Sequence, residues 1–173
     1  MIVFAGIELN PDTRDLCESL QGMLKTRTAG SFPRRENLHV TLAYFGEVDD
    51  AKLGEIQKIL EETPFPCNEL LFTRIGLFEG GKGDHIVLLA RAQDTLLAYR
   101  EELMKQFGEK WIYTDPKPFR PHVTLVRAKK KKVDCSGIHF EPVSSPVEQV
   151  VLFRSYEQSG KRIYEPLSSY RAG

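Results

Sequence analysis

Cysteine is scarce in this chain: among 173 residues there are three, Cys17, Cys67 and Cys135, far apart and without a Cys-x-x-Cys pair. An odd number of dispersed thiols argues against a disulfide framework or a zinc site and suits a reducing, cytoplasmic setting. An excess of charge of one sign is missing as well, since 24 Lys and Arg balance 24 Asp and Glu. No global field therefore draws the protein to nucleic acid or membrane, and any affinity for anions must come from local clusters. No apolar run approaches the length of a membrane span. Ile2 to Glu8 is too short, and too uncharged at its front, to read as a signal peptide. His-x-His, paired His/Asp ligand spacing and carboxylate clusters are absent, so neither a metal nor a cofactor is expected. No linker or low-complexity stretch divides the sequence, and residues 1–173 read as one domain, long enough to bury a core.

What the chain does contain is a repeat. The tripeptide His-x-Thr occurs as His39-Val40-Thr41 within Asn37 to Gly46, and as His122-Val123-Thr124 within Phe119 to Arg127. Residues two apart on a strand share a face. Each run thus presents an imidazole and a hydroxyl together, with Leu38, Val40 and Leu42, or Val123 and Leu125, turned the other way. The two histidines are 83 residues apart, and the same shift lays Ile2 to Glu8 over His85 to Arg91, both reading as buried strands.

A helical segment follows each of these strands. The first opens at Asn10-Pro11-Asp12, a cap with proline in the first turn, and carries Leu16, Leu20, Met23 and Leu24 on one face. The second runs from Gln93 to Phe107, with Leu96, Leu103, Met104 and Phe107 as its stripe and Gly108 as its stop. Asp49 to Glu62 reads as a further helix. Glu69 to Phe78 is a strand that turns back through Glu79 to Asp84, and Val147 to Ser155 with Arg162 to Ser169 is a late hairpin about Ser159-Gly160. The expected fold is α+β: a duplicated, two-lobed, pseudo-twofold arrangement of two small antiparallel sheets backed by helices around a central cleft.

Two imidazoles and two hydroxyls in one cleft suit acid–base chemistry on a phosphate. Histidine titrates near neutrality, so one ring can serve as base and the other as acid. Threonine hydroxyls can donate to the nonbridging oxygens, where negative charge must be held. These residues resemble those of the two-histidine (2H) phosphoesterases, and in particular the bacterial and archaeal RNA 2′,3′-cyclic phosphodiesterases, or 2′-5′ RNA ligase-like proteins. Asn37-Leu38-His39-Val40-Thr41-Leu42 with Phe45-Gly46-Glu47-Val48 is similar to the first motif region, and Arg120-Pro121-His122-Val123-Thr124-Leu125 with Arg127 to the second. The opening Ile2 to Ile7, and the late Arg154-Ser155 and Tyr164-Glu165-Pro166-Leu167, match in style and position, so the resemblance spans nearly the whole chain.

The resemblance implies metal-independent hydrolysis of a terminal 2′,3′-cyclic phosphate to a 2′-phosphomonoester, with His39 as proton donor, His122 as proton acceptor, and Thr41 and Thr124 beside them. In reverse, the same pair would join a 5′-hydroxyl to the cyclic phosphate as a 2′-5′ linkage. It also implies a phosphate contact from Arg127. By strict alternation Arg127 faces away from His122, so either a bulge re-aims it or the correspondence fails. Tyr44 and Phe45 lie just past the first motif. Alternation gives Phe45 the His39 face, where an aromatic ring would stack on a terminal base. The residues alone do not say which histidine is acid and which is base.

The expected partner is an RNA end or a small nucleotide, with no membrane involved and the protein acting as a monomer. Two other readings remain open: the same chemistry on a small cyclic phosphate or 2′-5′ oligoadenylate, and a module that binds a nucleotide or RNA end without turning it over. Lys129 to Lys132 is either a solvated loop or a lead for an RNA tail, and Arg34-Arg35 either acts likewise or flanks a loop. His85 and His139 lack partner threonines and read as structural or solvent-facing.

Overall fold

The computed structural model describes Met1–Gly173. Its strands are β1 (Ile2–Glu8), β2 (Gly30–Ser31), β3 (His39–Glu47), β4 (Glu69–Phe78), β5 (His85–Ala90), β6 (His122–Ala128), β7 (Val143–Pro146), β8 (Gln149–Gln158) and β9 (Lys161–Arg171). Its helices are α1 (Pro11–Leu24), α2 (Asp50–Glu62) and α3 (Asp94–Glu109), with a 3-10 turn at Arg35–Asn37. None of the helices is long and apolar enough to cross a membrane.

The strands lie in the order β7-β4-β5-β6-β3-β1-β8-β9, with β2 beside β6, and every pairing is antiparallel. Four strands make one lobe (β7, β4, β5, β6) and four the other (β3, β1, β8, β9). The two expected sheets meet edge to edge, where β3 and β6 share a single registered pair, Val40 with Val123. These are the middle residues of the two His-x-Thr tripeptides, so the pseudo-twofold axis passes between them.

Local sequence accounts for the helix starts. The Asn10 side chain accepts from the Thr13 amide ahead of Pro11, and Asp49 accepts from Lys52 in the same way, filling amides that a helix start leaves without partners. Helix α1 buries Thr13, Cys17, Leu20, Gln21 and Leu24. Its inner face is therefore centred nearer Cys17 than the expected stripe, and Met23 is exposed. Helix α3 does not stop at Gly108. It runs to Glu109 and closes with the Ile112 amide on Phe107 O and the Trp111 amide on Gly108 O, Trp111 itself taking the left-handed position at φ 57°. The β8–β9 hairpin turns at Ser159 and Gly160, both at positive φ, as this tight turn requires. His139 lies in the irregular segment before β7.

The helices cross between lobes. Helix α1 leaves β1 yet packs on β6 and β7, whereas α3 leaves β5 and packs with α2 over the other lobe, placing Phe107 edge-on to Phe45 of β3. One continuous cluster of buried side chains runs through both lobes as a result.

Candidate active site

The two central strands carry the site, and they are built alike. From His39 to Phe45, and again from His122 to Ala128, the residues follow the same sequence of half-buried and buried positions, with a doubled buried step at Leu42-Ala43 and at Leu125-Val126. The register explains the doubling. Opposite β1, Ala43 pairs with Ala5 but Thr41 with Gly6, leaving Leu42 extra; opposite β5, Val126 pairs with Ile86 but Thr124 with Val87, leaving Leu125 extra. Each strand thus has a bulge one residue after its threonine, and a bulge shifts the alternation by one.

Beyond the bulge, Tyr44 and Arg127 swing back to the side of the histidines and line the cleft. Phe45, expected on the His39 face, turns into the core instead, 1% exposed against Phe107. The bulge is the physical reason for that correction, and it is also what brings Arg127 round. A bulge carbonyl sits out of the ladder and needs a donor of its own. Leu125 O accepts from Gln21 Nε2 of α1 at 3.0 Å, and Leu42 O accepts from Arg100 Nε of α3 at 2.7 Å. The crossed helices supply both donors.

The histidines are held by matching devices. His39 Nδ1 lies 2.7 Å from Asn37 O, and His122 Nδ1 contacts Arg120 O, in each case the carbonyl two residues upstream. A ring donating from Nδ1 to a carbonyl keeps Nε2 for other partners. His39 Nε2 is 2.8 Å from Thr41 Oγ1. Gly6 stands across from Thr41, and a Cβ there would fall 3.0 Å from Val40 O and 3.3 Å from His39 Cδ2. A side chain there would press on the His39 ring and the Val40 carbonyl, which would have to give by a few tenths of an ångström.

The surroundings of the two rings differ. His39 sits among Phe4, at 4.9 Å between centroids, Tyr164, edge-on at 5.2 Å, and the more distant Phe153. Burial pushes its pKa down to about 4, and Arg127 and His122 push the same way against the Asn37 carbonyl. His122 stands edge-on to Phe78, over which Arg120 stacks. Its pKa is lowered too, again mainly by burial, with Arg120, His85 and Arg127 adding to the effect. Both rings are therefore neutral at neutral pH.

Thr41 and Thr124 line the same cleft, as do Phe4, Pro33, Asn37, Ser155 and Tyr164. Ser155 and Tyr164 are cross-strand partners in the β8–β9 hairpin, more than a hundred residues from His39; both fall in the late segments that carry the family resemblance, although nothing local marks them as cleft residues. Asn37 does carry a signal: it bears the same relation to His39 as Arg120 does to His122. No group of three or more His, Cys, Asp or Glu side chains comes together as a metal site. Arg34 pairs with Glu36 and with Arg162 O, and Arg35 with Asp15 and Glu18, so both brace the approach to β3. Lys129 to Lys132 form an exposed loop against the β4–β5 turn, where the Lys132 amide meets Asp84. His85 is paired with Arg127 across β5 and β6, and His139 lines a separate depression.

Two equivalent strands, each offering His-x-Thr to one cleft, are the arrangement that characterises a two-histidine phosphoesterase. The chain belongs to the 2′-5′ RNA ligase superfamily, whose model matches residues 11–157. It is 29% identical to an RNA 2′,3′-cyclic phosphodiesterase of Methanothermobacter thermautotrophicus (97% of each chain), 26% to one of Thermotoga maritima (96% and 93%) and 25% to one of Escherichia coli K12 (97% and 94%). Among solved structures, Escherichia coli LigT complexed with 3′-AMP superposes with a TM-score of 0.77 at 22% identity, covering 99% of this chain and 97% of that one. A protein of Thermus thermophilus gives 0.77 at 24%, with the same coverage.

Proposed function

We propose that this protein hydrolyses the 2′,3′-cyclic phosphate end of RNA to a 2′-phosphomonoester, without a metal, through His39 and His122. The observation that carries the reading is the convergence of two equivalent His-x-Thr tripeptides and Arg127 on one cleft. The curated relatives named as RNA 2′,3′-cyclic phosphodiesterases support the choice of substrate, and the structures of LigT complexed with 3′-AMP and with ATP support a nucleotide as ligand.

In this reading His122 takes a proton from water as its oxygen attacks phosphorus. The bond from phosphorus to O3′ breaks, and His39 delivers a proton to O3′. A free 3′-hydroxyl and a 2′-phosphate result. Thr41 and Thr124 donate to the nonbridging oxygens, Arg127 balances their charge and Tyr44 offers its ring to the terminal base. Because burial keeps His39 neutral, its service as donor depends on the anionic phosphate raising its proton affinity on binding. Reversal would join a 5′-hydroxyl to the cyclic phosphate with a 2′-5′ linkage.

The test is hydrolysis of an oligoribonucleotide ending in a 2′,3′-cyclic phosphate, in EDTA, with His39→Ala and His122→Ala beside the wild type. We expect a 2′-phosphate from the wild type, and losses of about 10²–10⁴-fold or more in each variant with unchanged circular dichroism. Substantial turnover by either variant, or activity abolished by EDTA, would overturn the mechanism. Turnover confined to a small cyclic nucleotide would reassign the substrate.

A further inference from the structure

If the terminal phosphate lies between His39 and His122, the rest of an RNA strand must leave the cleft on its 5′ side, and one rim of the cleft is aromatic. Tyr44, in the cleft, is 40% exposed, Tyr113 is 61% exposed and Trp111 90%. Tyr44 and Tyr113 flank Gly46: a Cβ on that residue would lie 3.8 Å from Tyr44 Cε1 and 4.0 Å from Tyr113 Cδ1. The absence of a side chain there keeps the gap between the two rings open. The segment is fastened at both ends, by the Asp115 amide on Tyr44 O and by buried Ile112 between Trp111 and Tyr113.

Trp111 is an odd residue for its position. Helix α3 ends in a pair of bonds that favours glycine at the left-handed residue, because any Cβ there is strained. Trp111 occupies that position at φ 57°, and its indole recovers nothing by burial. A strained, solvent-exposed tryptophan two residues before Tyr113 gains nothing from the packing of the fold itself.

We propose that Trp111 and Tyr113 continue Tyr44 into a stacking track for the bases upstream of the cyclic phosphate in single-stranded RNA. The proposal rests on the phosphodiesterase reading and extends it to substrate length. Every base has a π-face, so such a track tolerates any sequence. Continuity of Tyr113 with Tyr44 of the cleft favours this occupant over a second copy of the chain.

Trp111 is the only tryptophan in the chain, so its fluorescence reports on the track directly. Titration with a hexaribonucleotide carrying a 2′-phosphate is expected to quench it, and a nucleoside 2′-monophosphate to leave it unchanged. In kinetics, Trp111→Ala and Tyr113→Ala are each expected to lose about tenfold in kcat/KM on a cyclic-ended hexanucleotide, mostly through KM, with little change on a nucleoside 2′,3′-cyclic phosphate. Trp111→Phe should recover part of the loss. Trp111→Gly separates binding from folding: it should unfold at higher urea concentration than the wild type, yet lose the hexanucleotide preference.

Equal losses on both substrates, no loss on either, or quenching that ignores strand length would each overturn the track. So would a fluorescence change with protein concentration alone, matched by a dimer in sedimentation, which would assign the patch to self-association. If the wild type turns over neither substrate, it is the phosphodiesterase reading that fails, and the titration still decides whether the track binds RNA.

Discussion

His39 pays for its place in an aromatic pocket with a pH-dependent stability. The folded protein binds a proton on this ring only near pH 4, whereas the unfolded chain does so near 6.5. Between those values the unfolded state holds more protons, so the ring's stabilising contribution is present above pH 6.5 and lost as pH falls towards 4. From pH 7.5 to pH 5 this one group costs about 2 kcal/mol, and His122 adds in the same direction. Urea unfolding at the two pH values should show His39→Gln losing correspondingly less than the wild type; an identical loss would place the pH dependence elsewhere. Tyr44 and Phe45, adjacent in sequence, should behave as opposites. Phe45→Ala empties a fully buried site and is expected to cost about 3–5 kcal/mol of stability. Tyr44→Ala is expected to leave the urea midpoint nearly unchanged and to raise KM.

At the scale of elements, the two bulges decide what faces the cleft. Gln21→Leu or Arg100→Met would strand a buried bulge carbonyl, at about 1–3 kcal/mol each, and loosen the residue that the bulge aims. Gln21→Leu should mis-aim Arg127 and raise KM for every cyclic phosphate. Arg100→Met should disturb Tyr44 and depend on the base. Losses of about ten- to a hundredfold are expected, with partial recovery in Arg100→Lys; kinetics on two bases, set against urea midpoints, separates positioning from simple destabilisation. The same bulges mark where the sequence stops being legible. The helix caps at Asn10 and Asp49, the hairpin at Ser159-Gly160 and the two His-x-Thr strands are local, and the sequence announces them. The change of face after Thr41 and after Thr124 is not local. Its supports, Arg100 and Gln21, lie 58 and 104 residues from the carbonyls they hold, so strict alternation misdirects Phe45 and leaves Arg127 undecided. The cleft positions of Ser155 and Tyr164 are non-local in the same way, because they arise from the pairing of β8 on β1 and of β9 on β8. Nor does the sequence announce the left-handed turn at Trp111, because Gly108 reads as the natural end of α3.

For the molecule as a whole, the crossing of α1 and α3 matters more than the joint between the sheets. One backbone pair, Val40 with Val123, links the lobes through their strands, while the helices and the shared core bind them through their interior. Neither lobe encloses a core without the other's helix. We therefore expect residues 1–173 to unfold in a single cooperative transition, with circular dichroism and tyrosine fluorescence coincident in urea; two separated transitions would mean that the lobes are independent.

The pairing of Val40 with its own equivalent has a consequence for ancestry. A half-length chain carrying one His-x-Thr strand would leave its helix without a sheet to cover and its strand edge unpaired. A second identical copy, related by a twofold axis, would satisfy both needs and complete the pair of histidines at once. The present chain has the form of such an isologous dimer after fusion, and the differing pockets around His39 and His122 are what becomes possible once two identical subunits are free to diverge.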